Sequence, residues 1–334
     1  MYDGYKVIDI HGHLTAPVQY DAFGFNLIIG VPQAFAPFKL TDDQLNTATS
    51  GHIKVLDDRN IDVQFLSARP FSMLHWERPY VTQHWTKSTN DLIAQTVRMY
   101  PDRFRGVAGL PQQWDTDTSA CLDELNRCVN ELGFIAAVVN PDPSGEALTP
   151  KLNDEYWYPL YARAQELDIP LIIHGSAPRG DQRLVHGYDE TSNPQMDRQF
   201  YFMMEHTMAT MILERGHVFQ RFPRLKIVVI HCGGAPSRFV HRDEEPLAIG
   251  NLFFDTCAYE PAYLSTSIHQ RGVERMVFGT ESPGAGSNTT NPATNRPSDD
   301  LVTVISGFDF LSAADKRALF HDNPLKLFNR AKVE

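Results

Sequence analysis

The sequence predicts a (β/α)₈ barrel with long βα loops over its C-terminal face, and three observations carry the prediction. Short, β-branched apolar runs recur along the 334 residues and alternate with longer amphipathic stretches, the pattern of successive βα units around a parallel sheet. Eight such runs can be counted. Their apolarity is near-continuous, as in Ile227-Val228-Val229-Ile230, which fits strands buried on both faces; a half-exposed antiparallel strand would alternate. Barrels with insertions reach this length as one unit, so a single domain spanning residues 1–334 is expected.

In chain order the runs are Lys6 to His13, Val63 to Arg69, Phe104 to Leu110, Ile135 to Asn140, Pro170 to His174, Lys226 to His231, Leu252 to Cys257 and Arg275 to Glu281. Helices are expected at Ser88 to Tyr100, Thr118 to Leu132 and Glu155 to Leu167, each closed by a turn or proline before the next strand. Four long connections, Leu14 to Asp42, Phe71 to Lys87, Ala177 to Arg198 and Pro283 to Asp299, each follow a strand. They would lie over the barrel's C-terminal face, where long loops form lids or pocket walls. No repeat, low-complexity tract or linker divides the chain.

Hydrophobic residues make up 42% and charged residues 21%, ordinary globular usage that supplies a large core. Thirty basic against 41 acidic side chains leave a net charge of -11, which opposes binding to nucleic acid and to anionic lipid. A small anionic substrate stays admissible, because local arginines can make a positive pocket. Met1 to Ile10 carries Asp3, Lys6 and Asp9 and so lacks the apolar centre of an export signal. No later stretch is apolar for long enough to span a bilayer. Cys121, Cys128, Cys232 and Cys257 include no Cys-x-x-Cys pair and suit a reducing compartment, so a cytoplasmic location is expected.

Chemistry concentrates at the strand ends. In Asp9-Ile10-His11-Gly12-His13, two histidines one residue apart close the first strand; period-two geometry points both to one side, with Gly12 leaving room between them. Alone, a His-x-His would read as two polar residues in a turn. His174 closes the fifth run, however, His231 the sixth and Glu281 the eighth, and the C-terminal ends of barrel strands face one pocket. Three imidazoles and a carboxylate with an open position suit a catalytic divalent ion, zinc above all. One such ion is expected on His11, His13, His174 and Glu281. His231 is then left over for acid/base work, and Glu281 can ligate, shuttle a proton, or do both.

These residues, with the segments HGHLTAPVQ, VQFLSARPF, PDRFRGVAGLPQ, ELGFIAAVVNPDP, DEYWYPLY and FGTESPGAGS, resemble the amidohydrolase superfamily, specifically its branch of carbon-carbon decarboxylases and hydratases. The likeness spans nearly the whole chain. It implies a metal-dependent lyase acting on a small-molecule carboxylate, with a homo-oligomer expected. Glu281 is the telling position, because most of the superfamily has Asp at the eighth strand end whereas the hydratases these segments look like have Glu. The resemblance thus implies addition of water to a conjugated unsaturated oxo-carboxylate, such as 4-oxalomesaconate, in the breakdown of aromatic compounds. The competing readings are nonoxidative decarboxylation of a hydroxylated aromatic or heteroaromatic acid, and hydrolysis of a lactone or amide. A metal-binding barrel without catalysis would leave His231 unexplained.

Further residues are placed near substrate. Arg69 offers a planar fork for a carboxylate, against the alternative of a salt bridge beneath the site. His75 follows it beyond the second strand, and Asn140 ends the fourth strand, either facing substrate or fixing a turn. Arg238 lies on the sixth loop. The other histidines, His206 among them, read as surface or hydrogen-bonded groups.

Overall fold

The computed structural model describes residues 1–176, 194–235 and 251–333. Strands β1 (Ile8–His13), β2 (Val63–Ser67), β3 (Phe104–Ala108), β4 (Ala136–Val139), β5 (Leu171–Ile173), β6 (Ile227–Val229), β7 (Leu252–Asp255) and β8 (Met276–Val277) form one eight-stranded sheet in sequence order. Every neighbouring pair is parallel. Backbone bonds from Ile10 N to Phe278 O (2.9 Å) and from Glu281 N to His11 O (2.8 Å) join the last strand to the first. The expected (β/α)₈ barrel is therefore present.

Helices α1 (Val18–Ile28), α2 (Asp42–Asp58), α3 (Pro79–Met99), α4 (Ser119–Asn130), α5 (Tyr158–Leu167), α6 (Pro194–Arg215), α7 (Val218–Arg221) and α8 (Pro261–Arg271) lie between or after the strands. Three short ones, α9 (Leu301–Ser306), α10 (Ala313–Arg317) and α11 (Asn323–Leu327), follow β8. One apolar cluster fills the barrel with Ile8, Ile10, Phe65, Val138, Ile172 and Val228, closed by Leu327 and Phe328. A second lies between sheet and helices and takes the opposite strand faces, such as Leu171, Ile173, Ile227 and Val229. Both strand faces are buried, which is why the runs read as continuously apolar.

Two expectations need correction. The strand-to-helix connections over the site are partly helical: α1 occupies the first, and α3 begins at Pro79 instead of Ser88. The buried side of α3 includes Thr82, Thr86, Ser88, Thr89 and Asn90, so its apolar periodicity is masked, although Pro79 at the first turn is a fitting start. His11 and His13 share one side as period two expects, but the alternation breaks earlier in β1. Its register shifts between Asp9 and Gly12, and this bulge turns His11 and His13 into phase with the barrel interior after Ile8 and Ile10. Gly12 then faces outward, where a Cβ would meet the Gln64 side chain at 2.2 Å. The glycine makes room for Gln64, not for a metal between histidines.

All four cysteines are buried and free. Among the described residues, no helix is long and apolar enough to cross a membrane.

Candidate active site

At the C-terminal mouth, side chains from β1, β5, β6 and β8 meet. Ligand atoms of His11, His174, His231 and Glu281 all lie within 4.8 Å of one another. His13 stands at the edge of that group, its ring centre 5.2 Å from those of both His11 and His174, and its Nε2 3.7 Å from Glu281 Oε1. The sequence expectation placed His13 among the ligands and His231 outside them; the geometry brings all five side chains to one place.

The ring protons of three histidines are fixed from behind. Nδ1 of His174 faces the Gly175 carbonyl at 2.7 Å, and a carbonyl only accepts, so Nδ1 carries the proton. Nδ1 of His11 likewise donates to Asp255 Oδ2 at 2.8 Å. Nδ1 of His13 meets Ser67 Oγ at 2.9 Å, whose own hydrogen goes to a backbone carbonyl. In each ring the Nε2 lone pair is left for the centre. Nε2 of His11 and of His13 is buried without a hydrogen-bond partner among the described residues, a costly state that a cation relieves. Burial lowers the His13 pKa to about 4 and holds His174 well below its ordinary value, so both are neutral donors at neutral pH. For His11, burial also opposes protonation, but the Asp255 carboxylate outweighs it and raises the pKa. Nitrogen lone pairs converging on a carboxylate fit a divalent metal.

His231 and Glu281 share a backbone feature, with φ of 52° and 61°. Left-handed conformations of non-glycine residues cost about 1–3 kcal/mol each and gather at functional sites. His231 lies just past β6 and Glu281 a short way past β8, and both side chains reach the mouth. Burial would raise the Glu281 carboxyl, but contact with His13 and the charges of His231 and His11 outweigh it and hold the group well below the usual carboxylate range. Burial lowers the pKa of His231. Tyr259 Oη donates to Glu281 Oε2 at 3.0 Å and fixes that carboxylate.

Arg69 is half-buried beyond β2, and its charge acts on His13, His52 and Tyr20. No side chain among the described residues pairs with its guanidinium. His75 and Asn140 are buried and engaged with protein: His75 Nε2 donates to Leu110 O at 3.1 Å, and the Asn140 amide donates to His75 Nδ1 and to Ser176 Oγ. Asn140 Oδ1 also accepts from Asp142 N at 2.9 Å, the turn arrangement. Arg238 lies outside the described residues.

Sequence reasoning missed three residues. Asp255 ends β7 as a fully buried acid, and an acid inside an apolar run was the signal available. Tyr259 gave no signal. His206, read as an ordinary helix histidine, is fully buried with its ring centre 5.0 Å from that of His231.

A parallel barrel that crowds imidazoles and a carboxylate at its C-terminal mouth defines a metal-dependent barrel enzyme. The chain belongs to the amidohydrolase family, whose profile matches residues 8–330. It is 32% identical over 97% of its length to 2-keto-4-carboxy-3-hexenedioate hydratase of Sphingobium sp., covering 96% of that protein. Gamma-resorcylate decarboxylase of Rhodococcus jostii is 29% identical over 69% of this chain and 76% of its own. Among solved structures, 4-oxalomesaconate hydratase from Rhodopseudomonas palustris superposes with a TM-score of 0.81 at 29% identity, covering 97% of this chain and 96% of that one. A dihydroxybenzoic acid decarboxylase from Polaromonas sp. with bound manganese shares the fold at a TM-score of 0.66 and 21% identity, over 97% of each chain.

Proposed function

We propose that this protein is a metal-dependent hydratase that adds water to a conjugated unsaturated oxo-carboxylate of the 4-oxalomesaconate type. The observation that carries the reading is the match to two hydratases over 97% of the chain, combined with Glu281 at the eighth strand end. The Rhodococcus decarboxylase matches 69% of the chain in sequence, and the Polaromonas decarboxylase shares the fold over 97% of it at 21% identity.

In this reading His11, His13, His174 and Glu281 hold the ion. When bound, the ion lowers the pKa of a coordinated water and acts as a Lewis acid. Arg69, whose guanidinium no side chain among the described residues engages, takes a substrate carboxylate in two-point fashion. Glu281, ionised at neutral pH, accepts the proton that the attacking water gives up. His231 delivers a proton to the neighbouring carbon, so one C–O and one C–H bond form at the cost of the double bond. A proton passing from Glu281 to His231 resets the pair. His75, beyond β2, and Asn140, after β4, line the mouth, and Arg238 is proposed as a further contact for the anionic substrate.

Zinc is the proposed ion, supported by the nitrogen-rich donor set; metal analysis of the purified protein tests it. The family profile spans residues 8–330, which supports one domain. The cysteines suit a reducing cytoplasm. Exposed Val18 and Phe25 on α1, with Ile29 just after it, support a homo-oligomer, which light scattering tests. The function itself is tested by presenting 4-oxalomesaconate and a dihydroxybenzoate to the metal-loaded protein. Loss of the conjugated absorbance without carbon dioxide supports hydration. Carbon dioxide release from the benzoate would replace this reading with decarboxylation.

A further inference from the structure

Strand β6 ends in a run of strained backbone. His231, Cys232, Gly233 and Gly234 have φ of 52°, 58°, 74° and 72°, four successive residues in the left-handed region. Glycine adopts it freely, but His231 and Cys232 do not, and such strain persists only where the surroundings over-determine it.

The surroundings are largely α6. Thr210 Oγ1 donates to Gly233 O at 2.7 Å. Thr207 Oγ1 accepts from Ala235 N at 2.8 Å and gives its own hydrogen to Met203 O at 2.6 Å. A Cβ on Gly234 would lie 2.4 Å from both Thr207 N and Thr207 Oγ1, so the turn rests directly on the helix. His206, next to Thr207 in sequence, accepts from Gly175 N at 2.9 Å through Nε2. Its ring centre lies 5.8 Å from that of His174 and 5.0 Å from that of His231. From the far side, Asp255 Oδ1 accepts from Cys232 N at 3.1 Å.

We infer that α6 is the positioning element for His231: Thr207 and Thr210 pin the left-handed turn while the His206 ring backs the imidazole, so that the strained backbone aims His231 at substrate. Fold alone does not demand this arrangement. A helix covering β5 and β6 needs only an apolar face, which Ala209 and Leu213 supply, whereas this one also presents two hydroxyls and an imidazole to the two loops that carry site histidines. The inference rests on His231 being the proton-transfer group.

The test is a double-mutant cycle on the metal-loaded protein with 4-oxalomesaconate. Thr207→Val with Thr210→Val keeps side-chain shape and removes both hydroxyls. In the parent background kcat should fall about 10- to 100-fold, as expected for a misaimed catalytic group, with KM and metal content near parental. Thr207→Ser with Thr210→Ser should restore kcat. In a His231→Asn background, itself slowed roughly 10²- to 10⁴-fold, the Val pair should change kcat by less than about twofold, because its effect passes through His231. An equal loss in both backgrounds, or no loss in the parent, overturns the inference. Parental turnover by His231→Asn would instead overturn the role of His231. Should the Val pair fail to fold, Thr210→Val alone is read in the same cycle.

Discussion

Replacing Asp255 by Asn asks whether a proton on the wrong nitrogen is enough to weaken the metal centre. The Asp255 carboxylate is fully buried. One oxygen accepts the His11 Nδ1 proton at 2.8 Å, and the other accepts from Cys232 N and Cys257 N, both at 3.1 Å. Asn keeps one oxygen for the two backbone donors but turns an NH₂ toward His11. A donor then faces a donor. His11 relieves the clash by moving its proton to Nε2, which removes the lone pair from the centre. Loss of such backing costs about 10- to 100-fold in metal affinity, equivalent to about 1.4–2.8 kcal/mol. Fold stability should change by only about 1 kcal/mol, the net worth of one hydrogen bond. Asp255→Ala provides the contrast, since it orphans two buried N–H groups at about 1–3 kcal/mol each. Competition with a chromogenic chelator measures affinity, and urea midpoints measure stability. Parental affinity in Asp255→Asn would refute the tautomer argument, and unfolding as severe as that of Asp255→Ala would show that the side chain serves the fold instead.

The barrel was legible because both faces of each strand are apolar, and the strand-end residues were legible because barrel topology makes distant sequence positions neighbours. What escaped was local. The β1 bulge depends on a register against β2 that one strand's sequence does not encode, so His11 and His13 face inward for a reason other than simple alternation. The left-handed turns at His231 and Glu281 replace predicted strand, since a non-glycine residue gives no sign of positive φ. Asp255 hid inside the run Leu252 to Cys257, where the apolar neighbours drew the reading to a strand and the acid within it was passed over. His206 hid because its neighbours Glu205, Thr207 and Thr210 are polar, and a polar helix face normally points to solvent; here it satisfies the backbone of two loops.

Arg69→Ala should raise KM by about 10- to 100-fold, through loss of a charged hydrogen-bond pair worth roughly 1.5–3 kcal/mol, with metal content unchanged; unchanged steady-state kinetics would remove Arg69 from substrate binding. Glu281→Asp withdraws the carboxylate by one methylene from Tyr259 and His13 while keeping its charge. It should cost about 10²-fold in kcat, the usual penalty for a misplacement near 1 Å, and parental turnover would show that carboxylate position is immaterial. The last prediction concerns acid. Burial holds the His75 pKa down to about 4, and its Nδ1 must stay unprotonated to accept from the Asn140 amide at 3.1 Å. In the unfolded chain His75 takes a proton near pH 6.5, in the folded one only near 4, so its neutral contacts are fully stabilising above about 6.5. That stability drains away as pH falls through this window, by about 3 kcal/mol at roughly 1.4 kcal/mol per pH unit. Buried His13, His52, His174 and His231 are lowered too and act in the same sense, while Asp9, whose carboxyl is raised by burial to about 6, works in the opposite direction over part of the range, so the parent curve alone mixes several groups. His75→Gln separates them, because the amide can both accept from Asn140 and donate to Leu110 O without titrating. Urea midpoints of the metal-free protein between pH 7 and 4.5 should fall less steeply in His75→Gln than in the parent, by nearly one proton's slope; parallel curves would mean that His75 does not carry the acid sensitivity.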